Sequence, residues 1–101
     1  MFNLSIRGHG EIVQYMKSFG VPIVLIGGGG YSLRNVARCW IHETAVALGE
    51  EIDNEIPTND FSMYYHPPNK IHVPVSNQEN KNAREDIESM NKQIIDNLKN
   101  V

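Results

Sequence analysis

Hydrophobic positions recur along this chain with a helical rhythm in three places and lose that rhythm in between. In "GHGEIVQYMKSFG", residues 8–20, Ile12, Val13, Met16 and Phe19 share one helical face, and Gly20 supplies a stop. The next stretch, "VPIVLIG", is different. Val21, Ile23, Val24, Leu25 and Ile26 show no alternation, the pattern of a parallel strand buried on both faces. Pro22 fits only at its start, because it has no N–H to give to a ladder. From Leu33 the three- and four-residue spacing returns through Val36, Ala37, Trp40, Thr44, Ala47 and Leu48. Ser32 serves as the expected N-cap of this second helix and Gly49 as its end.

The middle, residues 50–70, is acidic and punctuated by proline, and reads as an ordered loop anchored by Phe61, Tyr64 and Tyr65. "IHVPV", residues 71–75, reads as a short strand that Pro74 confines to an edge or an end. A last helix is expected over residues 83–99, with Ile87, Met90, Ile94 and Leu98 as its stripe. Asn82 and Glu85 have the spacing of a capping-box variant.

This inventory lacks something. A strand apolar on both faces needs neighbouring strands and helical layers on both sides, and the chain offers about one such strand. The expectation is therefore a segment of a larger α/β protein, or a chain that assembles with its own copies. Apolar edges without partners favour self-association into a dimer or larger species.

Composition narrows the classes. The 101 residues are one small domain in size, and 41% hydrophobic content fits a folded chain rather than a disordered one. The formal charge of −3 comes without a basic run, so neither direct nucleic-acid binding nor an anionic membrane surface is indicated. The longest apolar run is about half of what a membrane span needs, and "MFNLSIRGHGE" has no charged-then-apolar signal layout. A single cysteine, Cys39, forms no internal disulfide and is compatible with a reducing compartment.

Candidate chemistry gathers at the four glycines 27–30 and the tyrosine after them. Against alanines the glycines cost roughly 2–4 kcal/mol of chain entropy, at about 0.5–1 kcal/mol each. Their place beyond the carboxyl end of a buried strand is where open α/β sheets bind ligands; steric relief at a strand-to-helix turn is the other reading. A Walker loop needs Lys and then Ser or Thr where Tyr31-Ser32 stands, and a dinucleotide fingerprint needs glycine at Ser32. Both fail. A phenol titrates at about pH 10 and so donates a hydrogen bond at neutral pH. Placed at the mouth of a site, Tyr31 could stabilise a developing oxyanion, worth about 3–4 kcal/mol of barrier. An aromatic lid on its own helix is the alternative.

The stretch "GGGGYSLRNVARCW", continued by "IHETAVAL", closely resembles the C-terminal part of the zinc-dependent class I histone deacetylases. "FNLSIRGH" before it and "NEIPTNDF" after it are similar too, and the likeness weakens after about residue 76. Class II enzymes generally lack the "RNVARCW" continuation. The resemblance implies that residues 1–101 are the C-terminal part of a catalytic domain, incomplete by itself. The implied fold is of the arginase/deacetylase α/β type, a central, mainly parallel sheet flanked by helices. This chain would give it about one core strand and three helices.

The implied parent hydrolyses N6-acetyl-lysine in histone tails, with zinc polarising the acetyl carbonyl for attack by water. Tyr31 matches the tyrosine that donates to the tetrahedral oxyanion, and Gly29 and Gly30 match backbone lining the acetyl-lysine channel. Arg34 matches an arginine that contacts an inositol phosphate beside a bound corepressor, a task suited to a guanidinium fork. A salt bridge to a nearby carboxylate is its alternative. Cys39 and Trp40 match residues whose expected task is packing. Acetylated histone tails, corepressor proteins and the remainder of the deacetylase domain are the implied partners, in the nucleus, with the cytoplasm as a second compartment.

One departure matters. The implied zinc ligands, two aspartates and a histidine, and a proton-transferring histidine pair belong to sequence upstream of Met1. His9, His42, His66 and His72 show no zinc-site spacing. His42, beside Glu43, reads as packed or solvent-facing, and Glu50, Glu51, Asp53 and Glu55 as a solvated loop. The chain alone is thus expected to hold no catalytic zinc and to be inactive. Two further readings stay open. One is a non-catalytic regulatory fragment or pseudoenzyme that binds a corepressor or inositol phosphate. The other is an enzyme for a different acetylated substrate, against which "RNVARCWIHET" stands.

Overall fold

The structure, a computed structural model, describes residues 3–99. Among them are four helices and no strand: α1 (Ile6–Lys17), α2 (Leu33–Leu48), α3 (Ser62–Tyr65) and α4 (Arg84–Leu98). Three of these answer to the helical rhythms of the sequence, and α3 is a short addition inside the acidic loop. Ser5 caps α1 by accepting a hydrogen bond from the Gly8 N–H at 3.0 Å. Gly49 ends α2 with a left-handed φ of +77°, and the Glu50 N–H donates to the Ala45 carbonyl at 2.9 Å. Ser32 does occupy the N-cap position of α2, but its side chain caps nothing; its carbonyl takes the N–H groups of Asn35 and Val36. The capping box at α4 is not formed. Ala83 is the N-cap there, while Asn82 donates to Asn80 Oδ1. Glu85 and Asp86 instead favour the first turn of α4 by their charge.

The expected core strand over 21–27 is absent, which corrects the α/β expectation for these residues. Among the described residues no backbone hydrogen bond joins residues 21–31 to any other segment. Val24 is 86% exposed and Ile26 83%. The physical reason lies in the chain itself, since a strand of this pattern needs a neighbouring strand and none is present among the described residues. The edge strand expected over 71–75 is also absent. In its place Glu55 and Lys70 form one antiparallel bridge, flanked by Ile56 N–H to Asn69 carbonyl and Ile71 N–H to Asn54 carbonyl bonds of 3.0 and 2.8 Å.

Packing is concentrated between α1 and α2. The two helices meet at Gly10, where a Cβ would collide with the His42 ring and press on Val46. Lys17 Nζ donates to the Val46 carbonyl at 2.7 Å, tying the end of α1 to the last turn of α2. Ile6, Val13, Ala45 and Ile71 are the buried apolar residues. The buried face of α1 therefore runs through 6, 10 and 13, while Ile12, Met16 and Phe19, expected on it, are exposed. The whole α4 stripe, Ile87, Met90, Ile94 and Leu98, is exposed as well. A radius of gyration of 16.9 Å, against about 13 Å for a compact domain of this length, states the same fact globally.

Candidate functional site

The glycine run and Tyr31 line one wall of a cleft of about 470 Å³, together with His9, Cys39, Trp40 and Glu43. Each glycine meets a different demand. Gly29 and Gly30 take φ of +65° and +80°, left-handed values that side chains rarely adopt. A Cβ on Gly30 would also lie 2.8 Å from Val36 Cγ2, and one on Gly27 would lie 2.9 Å from the Trp40 ring. Gly28 meets neither demand within this chain. The turn thus needs glycine at three positions on its own account, and it delivers Tyr31 to the start of α2.

Tyr31 is 94% exposed, and its hydroxyl has no hydrogen-bond partner among the described residues. Arg34, in the first turn of α2, is exposed and forms no ion pair among the described residues, so the salt-bridge alternative is not realised there. It borders a shallow depression with Ser32, Leu33, Met63 and Tyr64. Tyr31 and Arg34 are therefore both exposed at the N-terminal end of α2, with no hydrogen bond or ion pair among the described residues.

Elsewhere one buried charged side chain is closely matched by carbonyls. Arg38 is only 5% exposed and folds the loop onto α2: Nε donates to the Lys70 carbonyl at 2.7 Å, and Nη2 to the Tyr65 and Pro68 carbonyls, both at 2.8 Å. Its guanidinium also lies 5.3 Å from the centroid of the Tyr65 ring. Burial, then the charge of Arg34, lowers its pKa from the usual arginine value. His42 packs edge to face on His72, ring centroids 4.7 Å apart. A second cleft of about 530 Å³, lined by Ile41, Ile52, Ile56 and Phe61 among others, separates α2 from the loop and is mainly apolar.

Among the described residues one group of three metal-capable side chains converges, His9, Cys39 and Glu43. No pair of aspartates gathers with a histidine. The donor set that the resemblance implies for catalytic zinc therefore does not fit the residues present here.

No protein-family model matches the chain. Curated proteins do match it, over nearly its whole length. Histone deacetylase 1 of Oryza sativa subsp. japonica is 53% identical over 97 residues, covering 96% of this chain and 19% of the relative. Histone deacetylase 7 of Arabidopsis thaliana is 51% identical over 94 residues, 93% of this chain and 23% of the relative. For Histone deacetylase 1 of Homo sapiens the identity is 49% over 98 residues, 97% and 20% of the two chains. The chain is homologous to a segment of histone deacetylases. It spans about a fifth of the length of these relatives.

Two features of the chain were not foreseen from its sequence. Arg38 is the fourth residue after Arg34 in "RNVAR", and nothing in that spacing shows which of the two arginines turns inward. Cys39 was expected to pack as a small hydrophobe; it is half-buried, but its thiol lies within 4.8 Å of Glu43 and of His9, which arrives from α1. Cys39 and Glu43 at i and i+4 were visible as neighbours on a helix, whereas His9 lies thirty positions away and only the α1–α2 packing brings it in.

Proposed function

We propose that this chain forms one wall of a lysine deacetylase active site, within a deacetylase-type α/β domain whose sheet and metal ligands lie outside these residues. What carries the reading is identity near one half across almost the entire chain to proteins named histone deacetylases, with Tyr31 and the glycine turn on the wall of a single cleft. Tyr31 is the hydrogen-bond donor to the acetyl oxygen as it turns tetrahedral. Gly29 and Gly30 leave the wall free of side chains, so that a flat amide can slide along the backbone. Zinc, in the complete site, would polarise the acetyl carbonyl; no residue of this chain is assigned to hold it. Residues 21–26 complete the sheet as an inner strand, which accounts for their apolarity on both faces. Acetylated histone tails are the substrates of the complete protein, corepressor proteins its partners, and the nucleus its compartment.

A second reading is favoured by one observation, an exposed Arg34 beside Ser32 and Tyr64 with no ion pair among the described residues. In it the segment serves as a regulatory piece that takes an inositol phosphate or a corepressor at this corner.

The test is a chimera in which this chain replaces the matching segment of Histone deacetylase 1 of Homo sapiens, assayed on an acetyl-lysine peptide. The chimera is expected to turn over, and Tyr31→Phe to lower kcat by about 100-fold or more with zinc content unchanged. A folded but inactive chimera rejects the reading, and unaltered turnover after Tyr31→Phe removes the tyrosine from the mechanism. The chain by itself is expected to show no turnover with added zinc; chelator-sensitive activity from it would contradict the division of the site.

A further inference from the structure

We propose that His9, Cys39 and Glu43 form a binding site for a thiophilic divalent cation of the zinc and cobalt(II) class. The resemblance assigns metal to none of these three residues. Their ligand atoms all lie within 4.8 Å of one another, and His9 Nδ1 is 3.3 Å from Glu43 Oε1. Cys39 and Glu43 stand on one face of α2, one turn apart. His9 reaches them from α1, next to Gly10, where a Cβ would collide with the His42 ring of α2. The site is therefore framed by packed helices rather than by a loop.

The donor set suits the ion. Thiolate, imidazole and carboxylate are zinc's usual protein ligands, bound at about 2.0–2.3 Å. Tetrahedral bonds of that length place ligand pairs about 3.3–3.8 Å apart, so the widest pair must close by about 1 Å, which side-chain rotation can supply. The charges also balance, since thiolate and carboxylate with a neutral imidazole carry two negative charges and a dication cancels both. Without a cation, the sulfur keeps its proton. Burial, the charge of Glu43 and the hydrogen bond to it push the Cys39 thiol up to about 11. Binding replaces the thiol proton, which leaves to solvent as the sulfur–metal bond forms, with no change of oxidation state. Three protein ligands leave a fourth position, and the cleft that Gly27–Tyr31 line is next to it.

This inference stands apart from the deacetylase reading, because its test measures no turnover. The full 101-residue chain is titrated with cobalt(II) under anaerobic, reducing conditions. One equivalent is expected to produce thiolate-to-cobalt charge transfer and the visible bands of tetrahedral cobalt, and zinc to bleach both. Affinity should rise by about tenfold per pH unit while a single proton must leave. Cys39→Ser should abolish the charge-transfer band, and His9→Ala and Glu43→Gln should each weaken cobalt binding by more than about tenfold, the loss that even an outer partner of a metal site causes. A helical chain that gives no band overturns the proposal, as does a band that survives Cys39→Ser. Should a variant lose its helicity, alkylation of Cys39 in the unmodified chain decides the matter. Slowing by stoichiometric zinc supports the site, and equal rates with and without zinc reject it.

Discussion

Two regions of similar apolar content have opposite fates in this molecule. The α1–α2 seam and the loop that Arg38 gathers are closed: Gly10 lets two helices meet, Lys17 satisfies a terminal carbonyl, and Arg38 serves three more. Residues 21–31, more hydrophobic per residue over their first half, stay open, with no backbone hydrogen bond to another segment among the described residues. The difference is one of partners rather than of hydrophobicity. A helix satisfies its own backbone and needs only one neighbour to bury one stripe. An inner strand can do neither alone, because its hydrogen bonds and both its faces belong to other segments.

The largest effect should come from opening the closed region. Arg38→Ala removes the fork that holds the Tyr65, Pro68 and Lys70 carbonyls and should lower the unfolding free energy by about 2–3 kcal/mol. Proteolysis between residues 60 and 75 should accelerate in step. Arg38→Lys should recover only part of the loss, since an ammonium cannot reach three carbonyls in one plane. If denaturant midpoints of wild type and Arg38→Ala coincide, the loop is not held by this residue and the contrast fails.

A smaller effect is expected from pH. Burial, then the charges of Arg7 and His42, lowers the pKa of His72 below the ordinary value. The folded state thus favours the neutral ring. Its contribution is complete above the unfolded value of about 6.5 and is lost as pH falls below that value toward the folded one. The thermal midpoint should therefore drop between pH 7 and 5, and His72→Gln should flatten that part of the profile. A slope that is the same in both proteins would acquit His72.

The smallest effect on folding should come from the open region. Val24→Lys with Ile26→Lys touches exposed side chains and should change the unfolding free energy by less than about 0.5 kcal/mol. It should nevertheless reduce self-association, because the unpaired apolar edge is what copies would share. Light scattering of the unmodified chain should report a dimer or larger species and the double variant a smaller one. A monomeric unmodified chain would show that the open region needs no cover.

The helices were legible for a physical reason. Three-and-four spacing, Gly20 and Gly49 act locally, and α1, α2 and α4 follow them with boundary shifts of a few residues. The glycine run ahead of Tyr31 was legible as a bend free of side chains, whereas the left-handed angles of Gly29 and Gly30 came only with the structure. What the sequence by itself determined, then, was every feature whose causes lie within about one helical turn, including the stretch whose likeness to histone deacetylases the comparisons support. Tertiary structure alone decided which arginine turns inward, which face of α1 is buried, and that His9 meets Cys39 and Glu43. Those outcomes depend on contacts between residues far apart in the chain, and no local pattern encodes which distant surface will arrive. The strand at 21–27 shows the same rule from the other side: its sequence states a strong preference, and only neighbouring strands could fulfil it.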